Sequence, residues 1–297
     1  MSIILKSWDR LSLVFSILKS IYKDPSRRTN FFQCLVRVFI YRFEKVVGKR
    51  KKLSEKNGLR YWNYYDSPQY SDLIYYDRSD DYYLRVMEKY FTSSSVIFDI
   101  GANVGKMRLN LGFDLKCKEY IAFEPSPDSY ERLQEIKDLN KGVKLTTECI
   151  ALSNYIGKAR FLNNFVGTEN RILKNGDENC IEVVVETIES YAKRKSLIPN
   201  IIKIDVEGEE WNVISGAEKF FKSGDISCVV FENNLKASEM SLLRKLLNAN
   251  SYSLFMVGPD NYLHDITNSG GADKDDVKDY IILKKIDNIK TLSTFSK

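Results

Sequence analysis

The sequence predicts an α/β protein built on a doubly wound, mostly parallel sheet of seven strands. Between residues 80 and 285, short apolar runs alternate with segments whose apolar residues recur every three or four positions. Strands and helices alternate in this way when a parallel sheet is covered on both faces. A glycine turn follows the first strand, and acidic residues end several others. Ligands of such sheets bind at the carboxyl ends of the strands, so these acids are the first functional candidates.

The predicted elements follow in regular order. We expect sheet strands at 96–100, 120–124, 144–151, 201–205, 228–232, 252–257 and 279–284. Helices are expected at about 80–91, after residue 105, and at 188–194 and 211–221. The polar stretch 157–180 is typical of a hairpin, with a further strand at 181–185. A loop rich in Gly, Asp and Asn joins the last two strands, which predicts a C-terminal antiparallel hairpin.

The first 60 residues differ in charge from the rest of the chain. They hold 15 Lys and Arg against 4 Asp and Glu, so a basic arm precedes an acidic body in a chain of net charge +5. Residues 4–22 and 32–47 each show helical spacing of apolar residues, and the basic run Lys49–Lys52 follows. Such helices can lie on an anionic membrane surface. A helical hairpin packed on the body is the alternative.

A tyrosine-rich linker is predicted between this helical arm, residues 1–60, and a catalytic domain, residues 80–297. Residues 61–84 hold Trp62 and eight tyrosines interleaved with aspartates. Aromatic faces beside carboxylates suit a sugar, because rings stack on its C–H faces and acids accept its hydroxyl protons. Ordinary packing of the linker, at 61–79, is the competing interpretation.

Cysteine and hydropathy patterns bound the class of protein. The five cysteines include no Cys-x-x-Cys pair and the chain has one histidine, which argues against a Cys/His zinc site. No apolar run approaches the roughly 18 residues that span a bilayer, and no signal-peptide pattern is present. We therefore expect a reduced, cytoplasmic protein, attached at most to the inner face of the cell membrane.

The glycine turn after residue 100 indicates the chemistry of the ligand. Gly101 and Gly105 would let the backbone approach a bound molecule, while Asn103 replaces the middle glycine of a dinucleotide fingerprint. Asp99 precedes the turn and would repel a pyrophosphate. A cationic nucleoside such as S-adenosylmethionine fits this charge. Glu124 lies 23 residues after Gly101, near the place of an acid that binds ribose hydroxyls, although a solvated glutamate is the alternative.

The strand end at 203–210 offers groups for proton transfer. Alternation along a strand directs Lys203 and Asp205 to one side, with Glu207 continuing that direction if the chain stays extended. Either carboxylate could accept a hydroxyl proton, or both could hold a divalent cation, with Lys203 offsetting their charge. Capping of the next helix is the structural alternative.

Four motifs together resemble the FkbM family of S-adenosylmethionine-dependent methyltransferases. They are Asp99–Gly105, Phe123–Pro127, Ala151–Asn154 with Gly157, and Ile202–Trp211 with Gly216 and Ala217. The resemblance covers residues 80–285 and implies the class I methyltransferase fold and O-methylation of sugar or polyketide hydroxyls. It places Asp99, Gly101, Asn103 and Gly105 at the methionine end of the cofactor, Glu124 with Pro125 at its ribose, and Ala151, Leu152 and Ser153 near its adenine.

Two further residues complete the list of catalytic candidates. Glu232 ends the strand at 228–232, but Asn233 and Asn234 follow it where many family members have a histidine. His264 is the only histidine and lies in the closing hairpin, where an incidental role is the alternative.

We expect an O-methyltransferase that uses S-adenosylmethionine and acts on a saccharide hydroxyl in cell-surface glycan synthesis. A divalent cation is an additional possible cofactor, and no nucleic-acid partner is expected. Two alternatives stay open: a catalytically silent subunit that recruits glycan-synthesis partners to the membrane, and an NAD-dependent oxidoreductase. The departures from the dinucleotide fingerprint count against the second.

Overall fold

A computed structural model describes residues 36, 39–41, 43, 44, 46–65, 82–163, 170–173, 180–257, 262–268 and 279–285. The chain divides into two compact units, one of residues 1–52 and 63–79 and the other of residues 53–62 and 80–297. The described residues do not include the predicted helix at 4–22, the linker aspartates within 66–81, or Cys34. The domain boundaries at 60 and 79 stay predictions.

Fourteen strands are described, in three sheets. They are β1 (Lys51–Lys56), β2 (Leu59–Tyr64), β3 (Val96–Ile100), β4 (Glu119–Phe123), β5 (Thr146–Glu148), β6 (Ala151–Leu152), β7 (Gly157–Leu162), β8 (Arg171–Ile172), β9 (Cys180–Glu186), β10 (Ile201–Ile204), β11 (Cys228–Glu232), β12 (Tyr252–Val257), β13 (Leu263–Asp265) and β14 (Asp279–Lys284). Seven helices lie wholly within the described residues: α1 (Tyr82–Glu88), α2 (Lys106–Leu111), α3 (Pro127–Leu139), α4 (Ile188–Lys195), α5 (Glu210–Ser215), α6 (Glu218–Ser223) and α7 (Ala237–Ala249). None of the helices described combines the length and the apolar character needed to cross a bilayer.

The central sheet confirms the predicted architecture. Its order is β13-β12-β14-β11-β10-β3-β4-β5, with β11, β10, β3, β4 and β5 parallel and β14 antiparallel between β11 and β12. All seven expected strands are present. The short edge strand β13, which pairs with β12, makes the eighth. From β3 the chain proceeds outward through β4 and β5, and from β10 outward through β11, so the sheet is doubly wound.

Two expectations about individual elements were wrong. The strand expected at 144–151 ends at Glu148, and residues 151 and 152 belong instead to a separate four-stranded sheet, in which the expected hairpin within 157–180 (β7 with β8) and the expected strand at 181–185 (β9) are present. The helix expected at 211–221 is two helices, because Gly216 and Ala217 separate α5 from α6. A Cβ on Gly216 would lie 2.3 Å from the carbonyl oxygen of Ser153, so the break lets this backbone pack closely against residue 153.

Apolar side chains fill both faces of the central sheet. One face contributes Phe98, Ile100, Phe123, Ile204 and Phe231 to a core that also includes side chains of α4, α5, α6 and α7. The alternate residues of the same strands, among them Ile97, Tyr120 and Ile201, are also fully buried. Burial on both faces is typical of a parallel sheet between two layers, and it leaves the strand ends as the accessible part.

The hairpin of β1 and β2 was not expected from the sequence. Asn57 and Gly58 form its turn with φ of 49° and 79°, a pair that typical two-residue hairpin turns require. Asn57 Nδ2 donates to the carbonyl oxygens of Leu109 and Asn110 at 3.2 and 2.8 Å. The turn therefore satisfies carbonyl groups at the end of α2, which that helix leaves without internal partners.

Candidate active site

The candidate site lies where β3 and β10 run side by side. The amide of Asp205 donates to the carbonyl oxygen of Ile100 at 3.0 Å, so the ends of the two strands are held together. A Cβ on Gly101 would lie 1.8 Å from the carbonyl oxygen of Asp205. This is the switch point of a doubly wound sheet, where a crevice opens beyond the carboxyl ends of the strands.

The glycine turn, residues 101–105, has the backbone shape that was expected but for an additional reason. Gly101, Asn103 and Gly105 have φ of 74°, 50° and 81°, values that favour glycine and asparagine. The expected reason was a close approach of ligand. In the structure, a Cβ on Gly101 would strike the backbone after β10, and one on Gly105 would lie 2.8 Å from Ile136 and 2.9 Å from Leu133. Packing against backbone already requires glycine at residue 101, whereas at residue 105 the φ of 81° is the stronger constraint, because the side-chain ends of Ile136 and Leu133 can shift.

Asp99 is buried between two polar side chains, those of Tyr120 and Lys203. It is 0% exposed, the hydroxyl of Tyr120 donates to its Oδ2 at 2.6 Å, and Lys203 Nζ lies 3.7 Å from its Oδ1. Among the described residues, Oδ1 has no hydrogen-bond partner. Burial raises the pKa of Asp99, while the charge of Lys203 and the hydrogen bond from Tyr120 oppose this effect. One acceptor atom of a buried carboxylate is thus available just beneath the turn.

Lys203 connects Asp99 to Asp205. Its ammonium donates to Asp205 Oδ2 at 2.9 Å and to the carbonyl oxygen of Gly101 at 3.3 Å. Burial lowers the pKa of Lys203, but the negative charges of Asp205 and Asp99 outweigh this effect and leave the pKa above its ordinary value. The expected pairing of Lys203 with Asp205 on one side of β10 is present, and Ile204 lies in the core on the other side.

Glu124 is buried at the end of β4 and joins the turn to the next loop. Its two carboxylate oxygens accept the amides of Asn103 and Ser126, both at 2.8 Å. Burial raises the pKa of Glu124 to about 7, although the two amide hydrogen bonds and Lys203 act in the opposite direction. Each oxygen retains a further lone pair. Glu124 is therefore a buried hydrogen-bond acceptor that two backbone amides hold in place, and not the freely solvated glutamate of the alternative. The neighbouring Pro125 directs the chain to Ser126.

The residues expected near an adenine do not lie at the end of the strand predicted at 144–151. Ala151 and Leu152 form β6 rather than the exit of β5, and both side chains are packed in apolar clusters. Ser153 is fully buried, and its amide donates to the carbonyl oxygen of Glu186 at 2.9 Å. Their adenine contact stays a prediction. Cys149, which sequence reasoning passed over, is exposed directly after β5 and has its Sγ 3.9 Å from the carbonyl oxygen of Pro125.

Three carboxylates, which we call the carboxylate cluster, meet at the ends of β10 and β11. One oxygen from each of Asp205, Glu207 and Glu232 lies within 4.8 Å of the others. Glu207 reaches this position through a turn, with φ of 53°, and not through the extended chain that was expected. Partial burial, followed by the charges of Asp205 and Glu232, raises the pKa of Glu207 to about 7. The cluster can accept a proton, and its oxygens are of the kind that bind divalent cations.

The capping alternative holds only in part for the neighbours of Glu207. Glu209 stands at the N-cap position of α5 but makes no side-chain capping hydrogen bond and accepts instead from the side-chain amide of Asn212, while Glu210 Oε1 accepts the amide of Gly208 at 3.1 Å. Asn234 donates to both Glu210 and Glu232, at 3.3 and 2.9 Å. Glu209 and Glu210 therefore organise this turn.

His264 does not lie near the cluster. It is exposed on β13, three strands from β11 and four from β10, which at about 4.8 Å per strand corresponds to roughly 14–19 Å across the sheet. Tyr120 is the main site residue that sequence reasoning missed. It stands two positions before Ala122, which pairs with Asp99 across β3 and β4, so only the sheet register could reveal the contact.

A comparison with known families identifies the domain that contains this site. The profile of the methyltransferase FkbM domain matches residues 99–254, which run from the first strand end through the carboxylate cluster to β12. This chain belongs to the methyltransferase FkbM domain family. The doubly wound sheet with an antiparallel strand near its edge is accordingly the class I methyltransferase fold that the sequence predicted.

Individual relatives are more distant. The chain is 27% identical over 150 residues to the hexuronic acid methyltransferase AglP of Haloferax volcanii, a match that covers 49% of this chain and 59% of that protein. Among solved structures, an FkbM methyltransferase of Methylobacillus flagellatus is similar with a TM-score of 0.43 and 15% identity, over 65% of this chain and 44% of that one. TrmK of M. capricolum, solved with S-adenosyl-homocysteine, gives a TM-score of 0.37 and 15% identity over 68% and 67% of the two chains.

Proposed function

We propose that the protein is an S-adenosylmethionine-dependent O-methyltransferase whose acceptor is a saccharide hydroxyl, acting in glycan synthesis at the cytoplasmic face of a membrane. The observation that carries this proposal is the carboxylate cluster beside the glycine turn, because it sets proton acceptors next to a candidate cofactor crevice. Membership of a methyltransferase family supports the reaction class. The 27% identity to a hexuronic acid methyltransferase supports a saccharide acceptor.

The residues around the turn fit a cationic nucleoside. Asp99 has a buried oxygen that accepts no hydrogen bond among the described residues, although Lys203 lies 3.7 Å away, and Glu124 is a fixed acceptor at the neighbouring strand end. Together with Asp205 they give the crevice three carboxylates against the single charge of Lys203. The sulfonium and ammonium groups of such a ligand would offset part of this negative charge, and a ribose would supply hydroxyls to Glu124. When bound, S-adenosylmethionine would supply a methyl group that a hydroxyl oxygen can displace in line.

The protein's own residues would align the acceptor and take its proton. Asp205 is held by Lys203 at 2.9 Å, so its carboxylate is fixed at the edge of the crevice while its side chain remains 46% exposed. Glu207 lies beside it in the cluster. Proton transfer to a positioned carboxylate contributes typically about 10²- to 10⁴-fold to rate. Tyr120 and Lys203 act through Asp99 and Asp205 and are positioning residues.

The alternative is that the same three carboxylates bind a divalent cation. A cation bound there would lower the pKa of an acceptor hydroxyl, and the carboxylates would then serve as ligands. The two uses differ in a simple measurement. If the carboxylates act as bases, turnover survives removal of divalent cations by EDTA; if they act as ligands, it is lost and returns with Mg²⁺ or Mn²⁺.

The experiment is methyl transfer by the whole purified chain, supplied with isotope-labelled S-adenosylmethionine and a panel of hexuronic-acid glycans and nucleotide sugars. We expect an acceptor to gain one labelled methyl group, read by mass spectrometry, with release of S-adenosylhomocysteine. Transfer that continues unchanged in both Asp205→Asn and Glu207→Gln would remove the catalytic assignment. Cofactor binding without transfer to any acceptor would favour the silent-subunit alternative, and reduction of NAD would favour the oxidoreductase.

A further inference from the structure

The helical segment within residues 36–47 has an unusual orientation of its apolar face. Six apolar residues at spacings of three and four are exposed: Val36 at 42%, Phe39 at 71%, Ile40 at 48%, Phe43 at 68%, Val46 at 82% and Val47 at 54%. A helix packed on a protein core turns such a face inward. Contiguous exposed apolar patches of this kind mark interaction sites in soluble proteins.

The opposite face of the segment explains why the apolar face is outward. Tyr41 is 7% exposed, its hydroxyl donates to the carbonyl oxygen of Tyr65 at 3.0 Å, and the two rings lie 4.9 Å apart. The hydroxyl of Tyr65 in turn donates to Glu44. Polar side chains thus fix the inner face within this unit of the chain, and the hydrogen bonds would be broken if the helix rotated to bury Phe39 and Phe43.

Basic residues adjoin the apolar face. Lys49, Arg50, Lys51 and Lys52 are exposed and follow the helix directly. Glu44 pairs with Lys49 at 3.0 Å and with Lys52 at 3.6 Å, so one carboxylate stands against two ammonium groups. Residues 36–52 carry seven Lys and Arg and this single acid. The apolar face therefore borders a surface of strong positive charge.

We propose that this surface docks on an anionic lipid membrane. It consists of the six exposed apolar residues named above and the basic residues Lys49, Arg50, Lys51 and Lys52. A membrane surface offers both an apolar layer for the phenylalanines and negative headgroups for the basic run. A second copy of the same segment would bring like charges together. A nucleic acid would match the charge and leave the apolar face uncovered. The proposal is independent of the methyl-transfer reaction.

The test is flotation of the whole chain with vesicles of phosphatidylcholine alone or mixed with phosphatidylglycerol. We expect binding to the mixed vesicles only. Two variants remove one half of the surface each: Phe39→Ser with Phe43→Ser, and Arg50→Gln with Lys52→Gln. A matched control, Ile156→Ser with Ile198→Ser, removes two apolar residues that are 67% and 57% exposed elsewhere. The Phe39→Ser, Phe43→Ser variant should partition into vesicles at least about tenfold more weakly, because the transfer free energy of two phenylalanine side chains into an apolar layer exceeds the free energy of a tenfold change. The control variant should partition like the wild type.

Several results would overturn the proposal. They are equal binding to both vesicle types, undiminished flotation of the phenylalanine variant, absence of flotation by the wild-type chain, or loss of binding in the control pair alone. Light scattering without lipid supplies a second reading. A dimer that dissociates in the phenylalanine variant would assign the face to a second copy, and oligonucleotide binding that competes with vesicles and depends on Phe39 and Phe43 would assign it to nucleic acid. Circular dichroism verifies that each variant is folded.

Discussion

The two sides of the candidate site differ in how far their carboxylates are already satisfied. On the side of the glycine turn, Asp99 and Glu124 are buried, and Tyr120, Asn103 and Ser126 donate hydrogen bonds to them. On the side of the carboxylate cluster, Asp205 and Glu207 are exposed and Glu232 is partly exposed, and their oxygens crowd within 4.8 Å. The first side is organised before any ligand arrives. On the second side Lys203 and Asn234 donate to Asp205 and Glu232, but three partly exposed carboxylates still lie close enough to repel one another.

This difference indicates a division of labour. Groups that must recognise one fixed molecule gain from being immobilised beforehand, since less freedom is then lost on binding. Groups that must accept a proton or a cation gain from a raised affinity for positive charge, which like-charge crowding provides. Lys203 belongs to both sides, because it contacts Asp99 and Asp205. The following variants test whether the two sides can be separated.

The largest effect is expected on turnover from Asp205→Asn. Loss of a positioned proton acceptor should lower kcat by about 10²- to 10⁴-fold, with the affinity for S-adenosylmethionine changed much less. Glu218→Gln is the control, because Glu218 is an exposed helical carboxylate paired with Lys222. A parallel loss of cofactor affinity in Asp205→Asn would break the proposed separation of the two sides.

Gly101→Ala should strongly destabilise the fold. A Cβ there would lie 1.8 Å from the carbonyl oxygen of Asp205, at a φ of 74°. Backbone strain and overpacking together predict a loss of about 2–5 kcal/mol in the free energy of unfolding. Gly142→Ala is a matched control, because Gly142 also has a positive φ, 86°, but nothing lies within 4 Å of its Cβ position. Equal losses in a urea titration would show that strain alone acts at residue 101.

Glu124→Gln should weaken S-adenosylmethionine binding by about 10- to 100-fold, since hydrogen bonds to a charged group contribute about 1.5–3 kcal/mol. The glutamine side chain would also place its NH2 group against one of the two backbone N–H groups that now donate to the carboxylate, and that hydrogen bond would be lost. Glu119→Gln, at the other end of β4, is the control. Calorimetric titration measures both variants. An unchanged affinity in Glu124→Gln would remove the ribose assignment.

The smallest effect is expected in the pH dependence of Glu207. Its pKa of about 7 exceeds the ordinary value, so protonated Glu207 favours the folded state. That contribution is complete below about pH 4.5 and is lost as the pH rises through 7. Turnover should change in the opposite direction, rising through pH 7 as the base ionises. Glu207→Gln should flatten both profiles, and a turnover profile that keeps its rise in that variant would assign the rise to another group, such as Glu124.

The sequence predicted the architecture better than the connections within the site. Alternating apolar runs sufficed for the seven strands and for the acids at their ends, because both follow from chain-local patterns. The contact of Tyr120 with Asp99 depends on register between strands, and the clash at Gly101 depends on the backbone of Asp205, a hundred residues away. The second sheet was predicted only in part, as a hairpin within 157–180 and a strand at 181–185, because β6 and β8 have two residues each, too few to show a period. The hairpin at Asn57 and Gly58 had a recognisable turn signal that its basic flanks obscured.

The central claim concerns the cofactor, and calorimetric titration of S-adenosylmethionine into the whole wild-type chain tests it most directly. We predict saturable binding at one site per chain, with competition by S-adenosylhomocysteine and no effect of NAD. Binding of NAD at that site, with no heat from S-adenosylmethionine, would contradict the account.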